Sequence, residues 1–170
     1  MMWPHAPARV SIHDSEHMFQ GRFIHSVDAK GRVSIPAPVR AQLAEHYGSE
    51  DLFLTIFKEG DDKLLHLVPR SEWDAMLEKI ASGPRFQKKL NDFRRIYVSG
   101  ATECVPDKQG RVALSPTQRA WADIDREVVL VGTGLRRLEL WNREAWDRFH
   151  ERTEDAVFGE IGDVLEEIGL

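Results

Sequence analysis

The sequence predicts a mainly β protein with short helices, an α+β chain in which one β-β-α-β-β-α unit occurs twice. Three observations predict it. The pentapeptide Asp-x-x-Gly-Arg occurs at Asp28-Ala29-Lys30-Gly31-Arg32 and again, 79 residues on, at Asp107-Lys108-Gln109-Gly110-Arg111. Each copy leads through apolar alternation into a Pro-containing helix start, Val33-Ser34-Ile35-Pro36 in the first and Val112-Ala113-Leu114-Ser115-Pro116 in the second. A later pair, Leu65–Trp73 and Leu138–Trp146, matches at an offset of 73, so a loop six residues longer is expected in the first half. Two copies of one unit usually lie about a pseudo-twofold axis, which would present two Arg-bearing loops together.

Each element follows in order. Residues 1–17 mix Pro, His and Ser without an apolar period and read as a flexible extension. Phe19 to Val27 alternate as a strand, with Phe19, Gly21, Phe23, His25 and Val27 on one face and Gln20, Arg22, Ile24 and Ser26 on the other. Asp28 to Gly31 form a turn, because Asp bonds the backbone two residues on and Gly accepts positive φ. Arg32 to Ile35 return as a second strand, which predicts a hairpin with Lys30 and Arg32 at or near its tip. Pro36 and Pro38 end it and suit the first turn of a helix, Ala37 to His46. Asp51 to Phe57 and Lys63 to Val68 are strands about the polar turn Glu59-Gly60-Asp61-Asp62. A helix runs from Ser71 to about Ala81, where Gly83-Pro84 breaks it.

Arg85 to Tyr97 reads as a connecting helix, with Phe86, Leu90, Phe93 and Tyr97 on one face. The second copy then gives a strand to Val105, a turn at 106–110, a strand at 111–114 and a helix at 116–122. Next come a strand at 127–131, a turn at 132–136, a strand at 137–141 and a helix from Arg143. The predicted organisation is an extension (1–17), a first unit (18–82), a connecting helix (83–98), a second unit (99–149) and an acidic tail (150–170). The tail sets Val157, Ile161, Val164, Leu165 and Ile168 beside Gly159, Gly162 and Gly169, which weaken a helix. A frayed helix and an interaction tail both stand open.

Composition narrows the function classes. At 170 residues, 42% hydrophobic and 30% charged, the chain can bury a core as an ordinary globular protein. No apolar run reaches the roughly 18 residues of a membrane span. The segment Met1 to Pro7 lacks a basic region followed by an apolar core, so no secretory signal is expected. Cys104 is the single cysteine, which fits a reducing cytosol and reads as a small strand residue. The net charge is −5, yet residues 150–170 alone contribute −6, leaving +1 on the rest. Gly21 to Ala44 carry +3, through Arg22, Lys30, Arg32 and Arg40 against Asp28. Local field matters more to a binding face than the total does.

The two loops are the candidate binding site. Arg offers a planar fork of donors for phosphate oxygens or guanine edges, and a two-stranded ribbon fits the major groove. Asp28, Gly31, Asp107 and Gly110 shape the turns. For Arg32 and Arg111 two readings stand: nucleic-acid contact, or pairing with a carboxylate across the two halves. Lys30 and Lys108, one position out of register, are candidate phosphate contacts, and Arg22 adds to the basic segment. The cluster Arg85, Lys88, Lys89, Arg94 and Arg95 reads first as a solvated helix face. Trp73, Trp121, Trp141 and Trp146 read as core or interface anchors. His25 and His66 have no clustered partners, so no metal site is expected. No phosphate-binding Gly loop, nucleophile elbow or HExxH occurs, and neither catalysis, a cofactor nor a small-molecule substrate is expected.

Five segments resemble the MraZ family: Met18-Phe19-x-Gly21, Ser26 to Pro36, Ser99 to Cys104, Asp107 to Arg111 and Glu127 to Gly132. The resemblance spans about Met18 to Phe149. It implies two tandem AbrB-like swapped-hairpin units forming a pseudo-twofold β-barrel, in ring-shaped homo-oligomers. It further implies a cytoplasmic, nucleoid-associated transcriptional regulator that binds double-stranded DNA. Its sites would be short G-rich direct repeats upstream of the division and cell-wall gene cluster, its own promoter among them. The family's signature maps onto Arg32 and Arg111, with Lys30 beside them. Pro106 and Ser115 depart from the pattern and predict a less regular second hairpin. Gln109, where the first loop has Lys30, implies that the first loop dominates contact. Two alternatives are a ring-forming protein scaffold, favoured by the acidic tail, and an antitoxin-like protein with weak DNA binding.

Overall fold

The computed structural model describes residues 18–170, and the expected extension at 1–17 lies outside them. The first half comprises β1 (Phe19–Ser26), β2 (Arg32–Ser34), α1 (Ala37–His46), β3 (Leu52–Glu59), β4 (Asp62–Pro69) and α2 (Arg70–Ser82). A connector follows, α3 (Lys88–Phe93) and a π-helical turn (Arg94–Val98). The second half comprises β5 (Thr102–Cys104), β6 (Arg111–Ala113), α4 (Pro116–Trp121), β7 (Glu127–Leu135), β8 (Leu138–Asn142), α5 (Arg143–Glu160) and α6 (Gly162–Glu167). Every strand pair is antiparallel, so the fold is α+β with short helices as expected.

The pairing is not local. Six strands run in the order β1-β7-β8-β4-β3-β5, and β2 pairs with β6 in a separate ribbon. β1 therefore lies on the second half's β7, and β5 on the first half's β3. Exchanging every strand for its counterpart, β1 for β5, β3 for β7 and β4 for β8, reverses the same order. The expected hairpin of β1 with β2 is corrected: one isolated bridge, Val27 to Val33, joins them. β2 instead pairs its three residues with β6, from Arg32↔Ala113 to Ser34↔Arg111, while β1 builds its ladder along β7, from Phe19↔Leu135 to Ser26↔Glu127.

Alternation explains which faces are buried. Phe19, Leu52, Leu54, Leu65, Val128 and Leu130 point between the sheet and the layer formed by the ribbon with α1 and α4, where Val33, Leu43, Val112 and Leu114 meet them. Each such side chain contributes roughly 1.5–3 kcal/mol on burial. The opposite sheet face carries two smaller clusters. Trp146 and Phe149 of α5 cover Val129, Val131 and Trp141, while Trp73 of α2 and Tyr97 cover Val68.

Four further expectations are corrected. The six extra residues of the first half form no single loop. Part lies in a longer helix, and part in a hairpin where Leu52 pairs with Pro69, seventeen residues on, while Val128 pairs with Asn142, fourteen on. The turn expected at 132–136 is strand as far as Leu135. Gly132 sits there because β1 crosses so closely that a Cβ would fall 2.5 Å from the Gln20 amide nitrogen. The connecting helix starts at Lys88, not Arg85, and leaves Phe86 97% exposed while Tyr97 is buried. The predicted boundary at 149/150 falls inside α5, which runs unbroken to Glu160.

Candidate nucleic-acid interface

Each Asp-x-x-Gly-Arg loop is closed by its own Asp. In the first, Gly31 N–H donates to Asp28 O and Asp28 N–H to Arg32 O, both at 2.9 Å. The Asp28 carboxylate oxygen Oδ1 accepts the backbone N–H groups of Lys30 and Arg32, again at 2.9 Å. The second loop repeats this: Asp107 Oδ1 accepts from Gln109 and Arg111 at 2.9 and 3.0 Å. Gly31 and Gly110 are buried at φ +75° and +77°, a region that a side chain with Cβ resists.

The ribbon brings the loops together. Arg32 faces Ala113 and Ser34 faces Arg111. Ile35 N–H donates to Gly110 O at 2.8 Å and Leu114 N–H to Gly31 O at 2.9 Å, so each loop is anchored by the chain leaving the other. Two Asp and two Arg then form a crossed cluster. Arg32 Nε donates to Asp28 Oδ2 at 2.8 Å and lies across from Asp107 at 3.6 Å. Arg111 Nε donates to Asp107 Oδ2 at 3.0 Å, with Nη2 in ion-pair contact at 2.9 Å, and Arg111 lies across from Asp28 at 3.6 Å. The backbone N–H of Arg32 is the main influence holding Asp28 below the usual carboxylate range. That of Arg111 takes Asp107 down to about 2.

Of the two readings of Arg32 and Arg111, the geometry realises carboxylate pairing, and their side chains remain 28% and 27% exposed. Lys30, Lys108 and Gln109 are exposed at the tips, and neither lysine forms an ion pair with a described residue. The cluster thus stiffens a surface on which amines are free. Arg22 is not brought there. Its guanidinium lies 5.2 Å from the centre of the Trp146 ring, in a cleft of about 490 Å³ under α5 with His150 and Glu151.

Three supports escaped the sequence reading. Arg119 of α4 covers Gly31, and Arg40 of α1 covers Gly110, each helix roofing the other half's loop. These arginines stand 79 residues apart, like the loops, a signal that could have found them. Gln118 is buried, where its Nε2 donates to Leu54 O at 2.9 Å and its Oε1 accepts from Ser115 N–H at 3.1 Å. Ser115 and Gln118 stand at the Ser-x-x-Gln spacing of a capping box, which they form, and that spacing is a signal that could have found Gln118. Among the described residues no group of three or more His, Cys, Asp or Glu could hold a metal ion, and no helix is long and apolar enough to cross a membrane.

The "MraZ protein, putative antitoxin-like" family model matches residues 18–96 and again 97–161. The chain belongs to the MraZ family. It is similar to the "Transcriptional regulator MraZ" of Carboxydothermus hydrogenoformans, at 39% identity over 87% of this chain and 96% of that one. It is likewise similar to the protein of that name from Halothermothrix orenii, at 34% identity over 90% of this chain and all of the other. The Desulforamulus reducens regulator is 38% identical over 81% of this chain and 90% of its own. The MraZ match covers both loops and every strand described above.

Proposed function

We propose that this chain is a DNA-binding transcriptional regulator whose duplex contact is the paired-loop surface, with no catalytic chemistry. The observation that carries the reading is the crossed Asp28–Arg32–Asp107–Arg111 cluster beneath exposed, unpaired Lys30 and Lys108. Four charges neutralise one another internally, which leaves the tip amines as the net field. A rigid ribbon with free cations suits a phosphate backbone, and the half-buried side chains of Arg32 and Arg111 add donors suited to base edges or phosphates. Membership among proteins named transcriptional regulators supports the same reading.

In this proposal the exchange of β1 and β5 makes two AbrB-like swapped-hairpin units, with the ribbon folded over the sheet as a pseudo-twofold barrel. The protein acts in the cytoplasm on the nucleoid, as a ring of identical subunits. Its targets are direct repeats upstream of the division and cell-wall genes, its own promoter included. Arg22, stacked under α5, is left out of the contact. Footprinting on the DNA upstream of its own gene tests this. Protection of closely spaced direct repeats is expected, and uniform cleavage at saturating protein would overturn it.

A further inference from the structure

Two exposed surfaces lie outside the loop site, and they are complementary. One is the C-terminal pair of helices. α5 meets the body through Trp146 and Phe149, and Arg152 reaches Asp62 Oδ2 at 2.6 Å. Thr153 is its last half-buried residue. Past it the helix leaves the body, and hydrogen bonds from Ile161 N–H to Val157 O at 3.2 Å and from Leu165 N–H to Ile161 O at 3.0 Å carry the helix across into α6. Val157, Ile161, Val164 and Ile168 recur at spacings of four, three and four, the seam of a helix that packs on a partner. Yet Val157 is 49%, Val164 50% and Ile168 66% exposed. Glu154, Asp155, Glu160, Asp163, Glu166 and Glu167 flank the seam, with no Lys or Arg after Arg152.

The other surface is the connector. Phe86 is 97%, Ile96 59% and Phe93 37% exposed. Residues 85–95 carry a net charge of +4, from five basic residues against Asp92. Asp92 engages Lys88 and Arg95, whereas Arg85 and Lys89 pair with no described residue.

An exposed apolar seam rimmed by charge fits an interaction site. A second acidic tail is a poor occupant, because like charges would face each other along the seam. The connector offers apolar side chains and the opposite charge. We propose that the C-terminal helices of one copy dock, seam inward, on the basic connector of a second copy. Each copy carries both surfaces, so the contact is heterologous and every subunit both gives and receives. The proposal stands independently of DNA binding.

Charge reversal in the full chain tests it. The variants are Arg85→Glu/Lys89→Glu on the connector, Glu160→Lys/Glu167→Lys on the tail, and the four changes combined. All four positions are solvent-exposed, and unchanged melting confirms the fold. By sedimentation equilibrium each reversed pair should weaken self-association about tenfold or more, and the combination should restore it. Wild-type association in the single-surface variants, no recovery in the combination, or a monomeric wild-type chain would each overturn the proposal. A cysteine pair supplies an independent reading, since Cys104 is buried. Phe86→Cys/Ile168→Cys should form a disulfide between copies under mild oxidation, and Ile168→Cys alone should not. A link within one chain, or between two tails, contradicts the proposed occupant.

Discussion

The two loops share a motif, a hydrogen-bond pattern and a charge cluster, yet they are not held alike. Within each loop the arginine donates through Nε to its own Asp, at 2.8 Å in the first and 3.0 Å in the second, but the roofs differ. Arg40, over the second loop, is fixed by Glu50 Oε2 at 2.8 Å, whereas Nε of Arg119, over the first, has no partner among the described residues. The first loop carries Lys30 where the second carries Gln109. In a duplicated site the shared parts build the frame, and the unshared parts divide the labour. Here the second loop is the more firmly roofed and the first is the freer, and each carries one lysine, at a different position.

Gly110→Val against Gly31→Val should show the largest effect. Both force a β-branched residue to positive φ, at about 1–3 kcal/mol. The new Cβ at 110 also falls 2.5 Å from Arg40 Nη1, while at 31 it falls 3.1 Å from the nearest atoms of Arg119. Thermal melting should place Gly110→Val well below Gly31→Val, and equal midpoints would break the comparison. A Glu50→Ala background sharpens it by freeing Arg40. The two changes should then be non-additive by about 0.5 kcal/mol or more, with Gly110→Val better tolerated. Strict additivity would mean that Glu50 does not brace the loop.

The halves also differ at His66, which faces Glu139 across β4 and β8. His66 is buried, with Nδ1 against Tyr97 Oη at 2.9 Å and Nε2 without a partner among the described residues. Burial pushes its pKa down to about 3, with the Arg137 charge a smaller influence. The unfolded chain therefore takes up a proton near pH 6.5 that the folded chain refuses. Stability should fall as pH drops from 6.5 toward 3, by up to about 1.4 kcal/mol per unit. Asp107 acts lower and with the same sign. Its stabilisation is present above 3.8 and lost as pH falls toward about 2. In denaturant melts, His66→Gln should flatten the upper window and leave the lower one; a wild-type profile in the variant would contradict this.

Much of the frame was legible in the sequence. The alternation of Phe19, Phe23 and Val27 marked the buried face of β1, Pro36 and Pro116 marked two helix starts, and the 79-residue repeat marked the paired loops. Partner choice was not. Periodicity says which side of a strand is apolar, but two similar halves offer each strand two similar partners, and pairing within one half was the simpler expectation. Pairing of Arg32 and Arg111 with a carboxylate across the halves was one of two open readings, but the sequence did not say which carboxylates. Asp28 and Asp107 have a complete local role as turn formers, and only the ribbon pairing reveals that each also faces the other loop's arginine. Gly132 read as a turn because a close backbone crossing leaves no trace beyond the missing side chain.

The smallest of these effects bears most directly on the central claim. Lys30→Ala and Lys108→Ala change exposed side chains and should leave melting unaltered. DNA affinity measured against salt for the wild type and both variants tests whether the loop tips meet phosphate. The wild type should lose affinity steeply with salt, and each lysine removed should reduce the slope of log K against log salt by about 1. Lys30→Ala should weaken binding more than Lys108→Ala, because its loop is the less constrained. A wild-type slope near zero, or slopes unchanged in both variants, would contradict DNA contact through the paired loops.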